Sequence, residues 1–492
     1  MMQTGPHEEF SRWVCGALFL LSIALFATRN LPWHLDNYDQ AKQAFTSFEM
    51  IAENHWWFQH TPTGHIATKP PLAGWISAAL FYFSGSEWWE AAWRIPPLLS
   101  AAAILALLWK CGKTLFGGNV GGLLSAGAFS LNVFTPRLAA LVRTDMLLTL
   151  FLFLVGYLIL EQLRGGGPWT AWHRCLLFLC LLASMFTKGP IAYAFLLPGL
   201  VAYRFFARRF GVLDCAWSGW WSWFGPLIPF GVWAAVGLST SSEFYHDVVW
   251  KEFFGRFDVS ENPIHKHQPL YFYIGHLLLR AAPWSLLLVA FLSVKRVRWA
   301  MREDPVLLWL VCWSVGGLLV MSLVPSKRFD RVFPVVPPLC LLLAATARHL
   351  PDGLWKGQSV HRWTAIAAAI AAAVSTAYAA ENVWSGFRTN QRGLVVFGQT
   401  VRGEVGTATD RLAIINGKDE GMLLYIGKTG FTAADAAIAA WNSGELDWLV
   451  IPRRELRKQA SKLGDFERVA ETRAIPEKSS SYVLIRRTVL TR

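Results

Sequence analysis

Met146-Leu147-Leu148-Thr149-Leu150-Phe151-Leu152-Phe153-Leu154-Val155-Gly156-Tyr157-Leu158-Ile159-Leu160 is an uncharged apolar run, opened by Arg143-Thr144-Asp145 and closed by Glu161. With its flanks it is long enough to cross a hydrocarbon core of about 30 Å as a helix. Ser222 to Leu238 and Ala365 to Ala380 have the same character. The whole chain agrees with these blocks. Its 492 residues are 54% hydrophobic and 16% charged, against roughly 25% charged in soluble domains. Mean hydropathy is +0.33. This composition excludes a disordered chain, argues against a single soluble enzyme and describes a polytopic membrane protein.

Working outward, apolar blocks place spans near 13–31, 92–109, 118–135, 145–161, 173–187, 190–206, 217–238, 271–292, 305–323, 333–348 and 363–380. The expected fold is an all-α polytopic membrane protein of about 11–13 transmembrane helices, with interfacial helices in its first external loop. Arg12 and the run from Trp13 to Ala27 could pass for a signal peptide, but no small-x-small site follows, so a retained first helix is expected. Pro71 to Phe83 is short for a span and opens on Pro70-Pro71. A membrane-seated helix that does not cross is preferred there over a short tilted span.

The net charge, 46 Lys and Arg less 33 Asp and Glu, is +13. Alone this would suit a nucleic acid or an anionic lipid, but a membrane chain collects basic residues on cytoplasmic loops. Lys110 with Lys113, Arg164 with Arg174, Arg204 with Arg208 and Arg209, Lys295 with Arg296, and Arg348 with Arg362 form such a collar. No nucleic-acid partner is expected. The seven cysteines lie in or beside apolar blocks and suggest neither a disulfide framework nor a Cys metal cluster.

The opposite, external face then holds the loop 32–69, the 136–145 turn, the Lys188 turn, the loop 239–270, the 324–331 turn and the tail beyond Glu381. Tyr38 to Glu53 reads as an amphipathic helix. Ala41, Ala44, Phe45, Phe48, Ile51 and Ala52 form its apolar stripe, and Asp39, Lys42, Gln43, Thr46, Glu49 and Glu53 its polar one. The tail alternates strand-like runs (412–415, 422–426, 447–451, 481–485) with a helix-like run, 433–441, which predicts a small α/β domain. The expected division is a membrane domain 1–383, with first periplasmic loop 32–91, and a periplasmic domain 384–492.

Several cations stand on this external face, where topology does not call for them. Lys69 is stiffened by Pro70-Pro71, Arg143-Thr144-Asp145 opens a span, and Lys188-Gly189-Pro190 forms a tight turn. Ser326-Lys327-Arg328-Phe329-Asp330-Arg331 precedes another span. Charges at membrane depth are costly and mark sites, and converging Lys and Arg with few carboxylates suit a phosphate or diphosphate. Arg256 and His267 end the long loop. His265 and His267 could suggest metal ligands, but no Cys or carboxylate cluster completes such a site.

The pattern Asp39-x-x-Lys42, Glu49-Met50, Trp57, Gly64, Lys69-Pro70-Pro71-Leu72 and Trp75 continues in Arg94-x-Pro96, Arg143-x-Asp145 and Lys188-Gly189-Pro190. It ends in Arg256-Phe257, His267-x-Pro269, Tyr273, Pro283-Trp284, and Ser326-Lys327 with Pro334 and Pro337. This order, over residues 10 to about 350, resembles the bacterial aminoarabinose lipid A transferases. They are similar in turn to the protein O-mannosyltransferases, all polyprenyl-phosphate-sugar glycosyltransferases of the GT-C fold.

The resemblance implies an inner-membrane enzyme that takes a sugar from a lipid-phosphate carrier on the periplasmic face. Asp39 would be its catalytic aspartate, Lys42 stands where an arginine is usual, and Lys69 and Lys188 would hold the carrier phosphate. Arg143, Asp145, Arg256, His267, Lys327 and Arg331 complete the expected substrate-binding set, with Asp145 paired to Arg143. Partners would be the polyprenyl-phosphate sugar, membrane lipids, and lipid A or another envelope glycan or protein as acceptor. Thr68 and Arg331 replace a Glu and a Tyr that form a metal site with the His267 position in that branch. These replacements speak against a divalent metal, without closing the question, and equally for an altered sugar or acceptor. A protein O-glycosyltransferase, or an anionic-lipid transporter of another class, are the alternatives; charges confined to one face, and no visible repeat, argue against the transporter.

Overall fold

A computed structural model describes residues 10–35, 38–85, 89–165, 167–210, 216–250, 254–256, 267–351, 359–388, 393–415, 419–472 and 481–488. The chain divides into two compact units. The first comprises residues 1–30, 68–73 and 94–382; the second, residues 31–67, 74–93 and 383–492.

The first unit is helical. Glu90–Leu115, Asp145–Gly165, Trp220–Thr240, Pro305–Leu323, Phe329–Ala347 and Val360–Arg388 are each long and apolar enough to cross a membrane. Arg12–Thr28 and Ile191–Phe206 are shorter apolar helices, and Ala171–Lys188 fills the block expected at 173–187. The run 271–292 departs from a single straight span. Its helices Phe272–Arg280 and Trp284–Ser293 meet at 110°, because Pro283 has no N–H to continue the ladder. The 118–135 block is also interrupted: its helix stops at Ser130, and the Asn132 carboxamide accepts from the N–H groups of Phe134 and Thr135, both at 2.8 Å. Asn132 thereby satisfies the N–H of Thr135, the first residue of the short helix Thr135–Ala139.

Close packing fixes the helices that flank the Lys188 and 324–331 turns. A Cβ on Gly316 would lie 2.5 Å from the Gly199 nitrogen, and one on Gly199 would lie 2.7 Å from the Cys312 carbonyl. Ile191–Phe206 and Pro305–Leu323 therefore touch backbone to backbone, as small residues allow in membrane helices. Gly189, at φ +78°, ends Ala171–Lys188 and gives its N–H to the Met185 carbonyl at 2.7 Å. An L side chain there would be strained, so the glycine sets the direction in which Lys188 leaves the helix.

The second unit joins the first loop to the tail. The amphipathic helix is Tyr38–Ala52. Ala41, Ala44 and Phe45 are buried as expected, but Glu49, assigned to the polar stripe, is only 2% exposed, and Ala52 is exposed. The helix ends sooner than its pattern, and residues after it fold back over Glu49. The tail forms a four-stranded sheet, β1 (Leu412–Ile414), β2 (Trp448–Pro452), β3 (Phe466–Glu471) and β4 (Tyr482–Arg487), in the order β1-β2-β4-β3. Only β1 and β2 are parallel.

Ile415, Leu449, Ile451, Val483 and Ile485 pack with Trp441 of the helix Ala434–Ser443 into the tail's core. Met422 to Ile426, expected as a strand, belongs instead to the helix Glu420–Ile426. A short continuous apolar run fits either state, and Gly427, at φ +87°, closes it by donating to the Leu423 carbonyl at 2.8 Å.

Loop and tail meet intimately. The Leu35 N–H donates to the Tyr425 hydroxyl at 3.1 Å, Phe431 N–H to the Pro62 carbonyl at 3.1 Å, and the Thr429 hydroxyl to Glu53 at 2.5 Å. A Cβ on Gly421 would lie 2.2 Å from the Leu35 carbonyl oxygen.

Candidate functional site

Turns of the first unit that the topology expects on the external face line a cavity of about 240 Å³. Ile191, Ala194, Phe230, Trp233, Val248, Val320, Met321 and Val324 make most of its wall, while Thr68, Lys69, Lys188, Ser326 and Arg331 supply polar groups. Three of the cations expected from sequence are thus brought to one apolar chamber.

Each cation is positioned differently. Lys69 sits in the Thr68-Lys69-Pro70 wall segment just before the helix Leu72–Phe83. Lys188 terminates its helix and donates to Asp145, the first residue of Asp145–Gly165; both side chains are about nine-tenths buried. Asp145 was expected to pair with Arg143. The Arg143 charge does act on Asp145, and its guanidinium also reaches Asp330, which accepts from Arg328 at 3.3 Å. Arg331 donates to the carbonyl and hydroxyl of Ser326, at 3.0 and 3.1 Å.

Lys327 is buried and is not among the cavity's lining residues. Its ammonium donates to the Gln268 carbonyl at 2.9 Å, and burial holds it below the ordinary lysine pKa. His267 is exposed and bridges Ser326 through the backbone. The Arg256 side chain, with His265 and Lys266, lies outside the described residues. Asp39 and Lys42 belong to the second unit, in the first turns of Tyr38–Ala52. Asp39 is exposed, and Lys42 faces the field of Glu420. Burial raises the Glu420 carboxyl from 4.5 to about 7, and Lys42 draws it back only in part.

The sequence reading missed Asp330 and the buried Glu49. Asp330 stood within the quoted Ser326–Arg331 motif, but nothing local tied it to Arg143.

The metal implied by resemblance does not fit the residues at its positions. A guanidinium has no lone pair for a cation, and that of Arg331 can only donate, as it does to Ser326. Thr68 offers a neutral hydroxyl in place of a carboxylate. What the chamber does offer is charge-assisted hydrogen bonding at the polar groups of an apolar pocket, the arrangement an amphiphilic anion requires.

The fold is the GT-C fold of integral-membrane glycosyltransferases. It matches the crystal structure of ArnT from Cupriavidus metallidurans bound to undecaprenyl phosphate with a TM-score of 0.70 at 16% identity, over 96% of this chain and 97% of that one. The Archaeoglobus fulgidus oligosaccharyltransferase matches at 0.58 and 10% identity, over 92% of this chain and 71% of that one.

In sequence the chain is similar to aminoarabinose transferases. It is 28% identical over 62% of its length to an undecaprenyl phosphate-alpha-4-amino-4-deoxy-L-arabinose arabinosyl transferase of Erwinia tasmaniensis, and 25% identical over 72% to that of Aeromonas salmonicida. These alignments span 54% and 63% of the relatives' own lengths. Residues 68–233 match the family described as dolichyl-phosphate-mannose-protein mannosyltransferase. With its several long apolar helices, the chain is a multi-pass membrane protein.

Proposed function

We propose that this protein is an inverting glycosyltransferase of the bacterial inner membrane. It moves a sugar from a polyprenyl-phosphate carrier to lipid A, or another envelope acceptor, on the periplasmic face. The observation that carries the reading is the apolar chamber lined by Lys69, Lys188 and Arg331. The chemistry named for the arabinosyl transferase relatives agrees with it and favours a transferase over a transporter.

In the reaction the bond from the anomeric carbon to the carrier phosphate breaks as an acceptor oxygen bonds to that carbon from the opposite side. The leaving group is a lipid monophosphate, on which negative charge grows. Lys69, Lys188 and Arg331 stabilise that charge as it develops, the largest single contribution available to such a site. Asp145 holds the Lys188 ammonium in place, and Asp330 does the same for Arg143. Asp39 takes the proton of a hydroxyl acceptor as general base. For an acceptor phosphate, already ionised, it orients the nucleophile. The reading keeps residues 1–383 as the transferase domain and 384–492 as a periplasmic domain.

Purified protein given a polyprenyl-phosphate sugar and acceptor should release the polyprenyl monophosphate, and Asp39→Asn should stop that release. Carrier translocation without release of monophosphate would overturn the reading. Mass spectrometry of lipid A from cells with and without the protein identifies the acceptor: an unchanged lipid A moves the assignment to another envelope glycan or a protein.

A further inference from the structure

We propose that Glu49, His55 and His60 form a divalent-cation site of the zinc type, separate from the chamber and from the His267 position. The three ligand atoms lie within 4.8 Å of one another. Glu49 Oε1 contacts His55 Nδ1, and lies 3.3 Å from His60 Nδ1; the two Nδ1 atoms are 3.1 Å apart.

With Glu49 ionised, no arrangement of the ring protons makes all these contacts favourable. An ionised carboxylate brings no proton. If both rings carry a proton on Nδ1, two donors face each other at 3.1 Å. If only one does, the other ring turns a lone pair toward the carboxylate oxygen. A cation inside the triangle resolves the conflict, because it takes one lone pair from each group. Of the three separations, the 3.1 Å between the Nδ1 atoms and the 3.3 Å from His60 Nδ1 to Glu49 Oε1 also have the right size. Ligands about 2.0–2.1 Å from a tetrahedral zinc stand roughly 3.3 Å from one another.

The support around the ligands is that of a built site. The Glu49 side chain is 3% exposed, and its second oxygen accepts the His60 backbone N–H at 3.1 Å, so the carboxylate cannot swing away. Such outer hydrogen bonds orient ligands in metal sites. The His55 and His60 side chains are 45% and 31% exposed, which leaves an entry path and a fourth position for water. All three ligands come from one short stretch, so closing the chelate costs little chain entropy. Two imidazoles and a carboxylate form a set that suits zinc better than magnesium or calcium.

The bound ion would pin the return of the chain to the end of the helix Tyr38–Ala52. His60 opens a small hairpin there, bridging Ile66, with Ala67 N–H donating to the Gln59 carbonyl at 2.7 Å. Thr68 and Lys69 follow directly in sequence.

Untagged full-length protein in detergent, stripped with a chelator, should bind one equivalent of Zn²⁺ and gain thermal stability on doing so. Even outer-shell partners are worth about 10–100-fold in affinity, so His55→Ala and His60→Ala should each weaken binding by at least about 10-fold. Both variants should still fold when metal-free, since the replaced rings are partly exposed. His267→Ala should bind as the parent does. Failure of the parent to bind Zn²⁺, parental affinity in the His55 and His60 variants, or loss of binding in His267→Ala alone would overturn the proposal.

Discussion

The two units use charge in opposite ways. In the helical unit, Asp145 and Asp330 are buried among cations and are held by Lys188, Arg143 and Arg328. Among the described residues of the loop-and-tail unit, the buried acids are Glu49 and Glu420. Glu49 is met by histidines, and Glu420 answers burial by keeping its proton into the neutral range. The first unit is built to keep positive charge fixed at membrane depth. The second is built around carboxyl groups whose state depends on conditions, on protons for one and on a cation for the other.

The sharpest way to break this contrast is to separate binding from reaction. Asp39→Asn should lower sugar transfer by about 10²–10⁴-fold, the usual range for a general base, and leave polyprenyl-phosphate affinity near the parental value. Lys69→Ala should weaken that affinity by roughly 10–100-fold, as loss of a charged hydrogen bond of about 1.5–3 kcal/mol requires. Direct binding of polyprenyl phosphate, beside turnover at saturating donor, checks both. Parental affinity in Lys69→Ala would remove that residue from the phosphate site.

Next comes the buried pair. Asp145→Ala leaves the Lys188 ammonium without its carboxylate and should destabilise the helical unit by about 3–5 kcal/mol. Lys188→Ala with Asp145→Ala should recover much of that loss, and thermal unfolding in detergent measures both.

The loop-and-tail unit should respond to pH. Below about 4.5 the Glu420 carboxyl is protonated whether the chain is folded or not. Above that, the unfolded chain gains by ionising while the folded one holds its proton. Stability therefore falls as pH rises from about 4.5 to about 7, by about 3 kcal/mol at most, and is level beyond. Glu420→Gln should flatten the melting temperature across that window and raise it near pH 8. The smallest effect is expected from Gly421→Ala, whose Cβ meets the Leu35 carbonyl. A cost of about 1–3 kcal/mol is typical of such overpacking, seen as earlier proteolysis of residues 31–67.

Much of the helical unit could be read from its residues. Long uncharged runs specify their own secondary structure, and Lys69, Lys188 and Arg331 stood out because they fall in turns where the positive-inside reading does not call for cations. Their pairing could not be read. Asp145 and Lys188 are 43 positions apart, and Arg143 and Asp330 are 187 apart, so only the packed helices bring them together. Glu49 was misplaced for a related reason. Helical periodicity puts it with Lys42 and Thr46, and the histidines that cover it come from the following loop. The strand Phe466–Glu471 escaped notice because it is an edge strand whose charged side chains face outward. Such charges protect an edge from further pairing and hide the alternation that marks a strand.

The contacts of Leu35, Glu53 and Pro62 with Tyr425, Thr429 and Phe431 change what a deletion experiment means in this molecule. The last hundred or so residues look like an appendage to be trimmed or exchanged between relatives. Cutting them away would strip the support from the segment that carries Asp39, Lys42 and the histidine cluster. A truncated protein that still inserts but no longer turns over would thus report the loss of that support, not the loss of an accessory function. A chimera would work only where its new tail reproduces the glycine-to-carbonyl fit at residues 421 and 35.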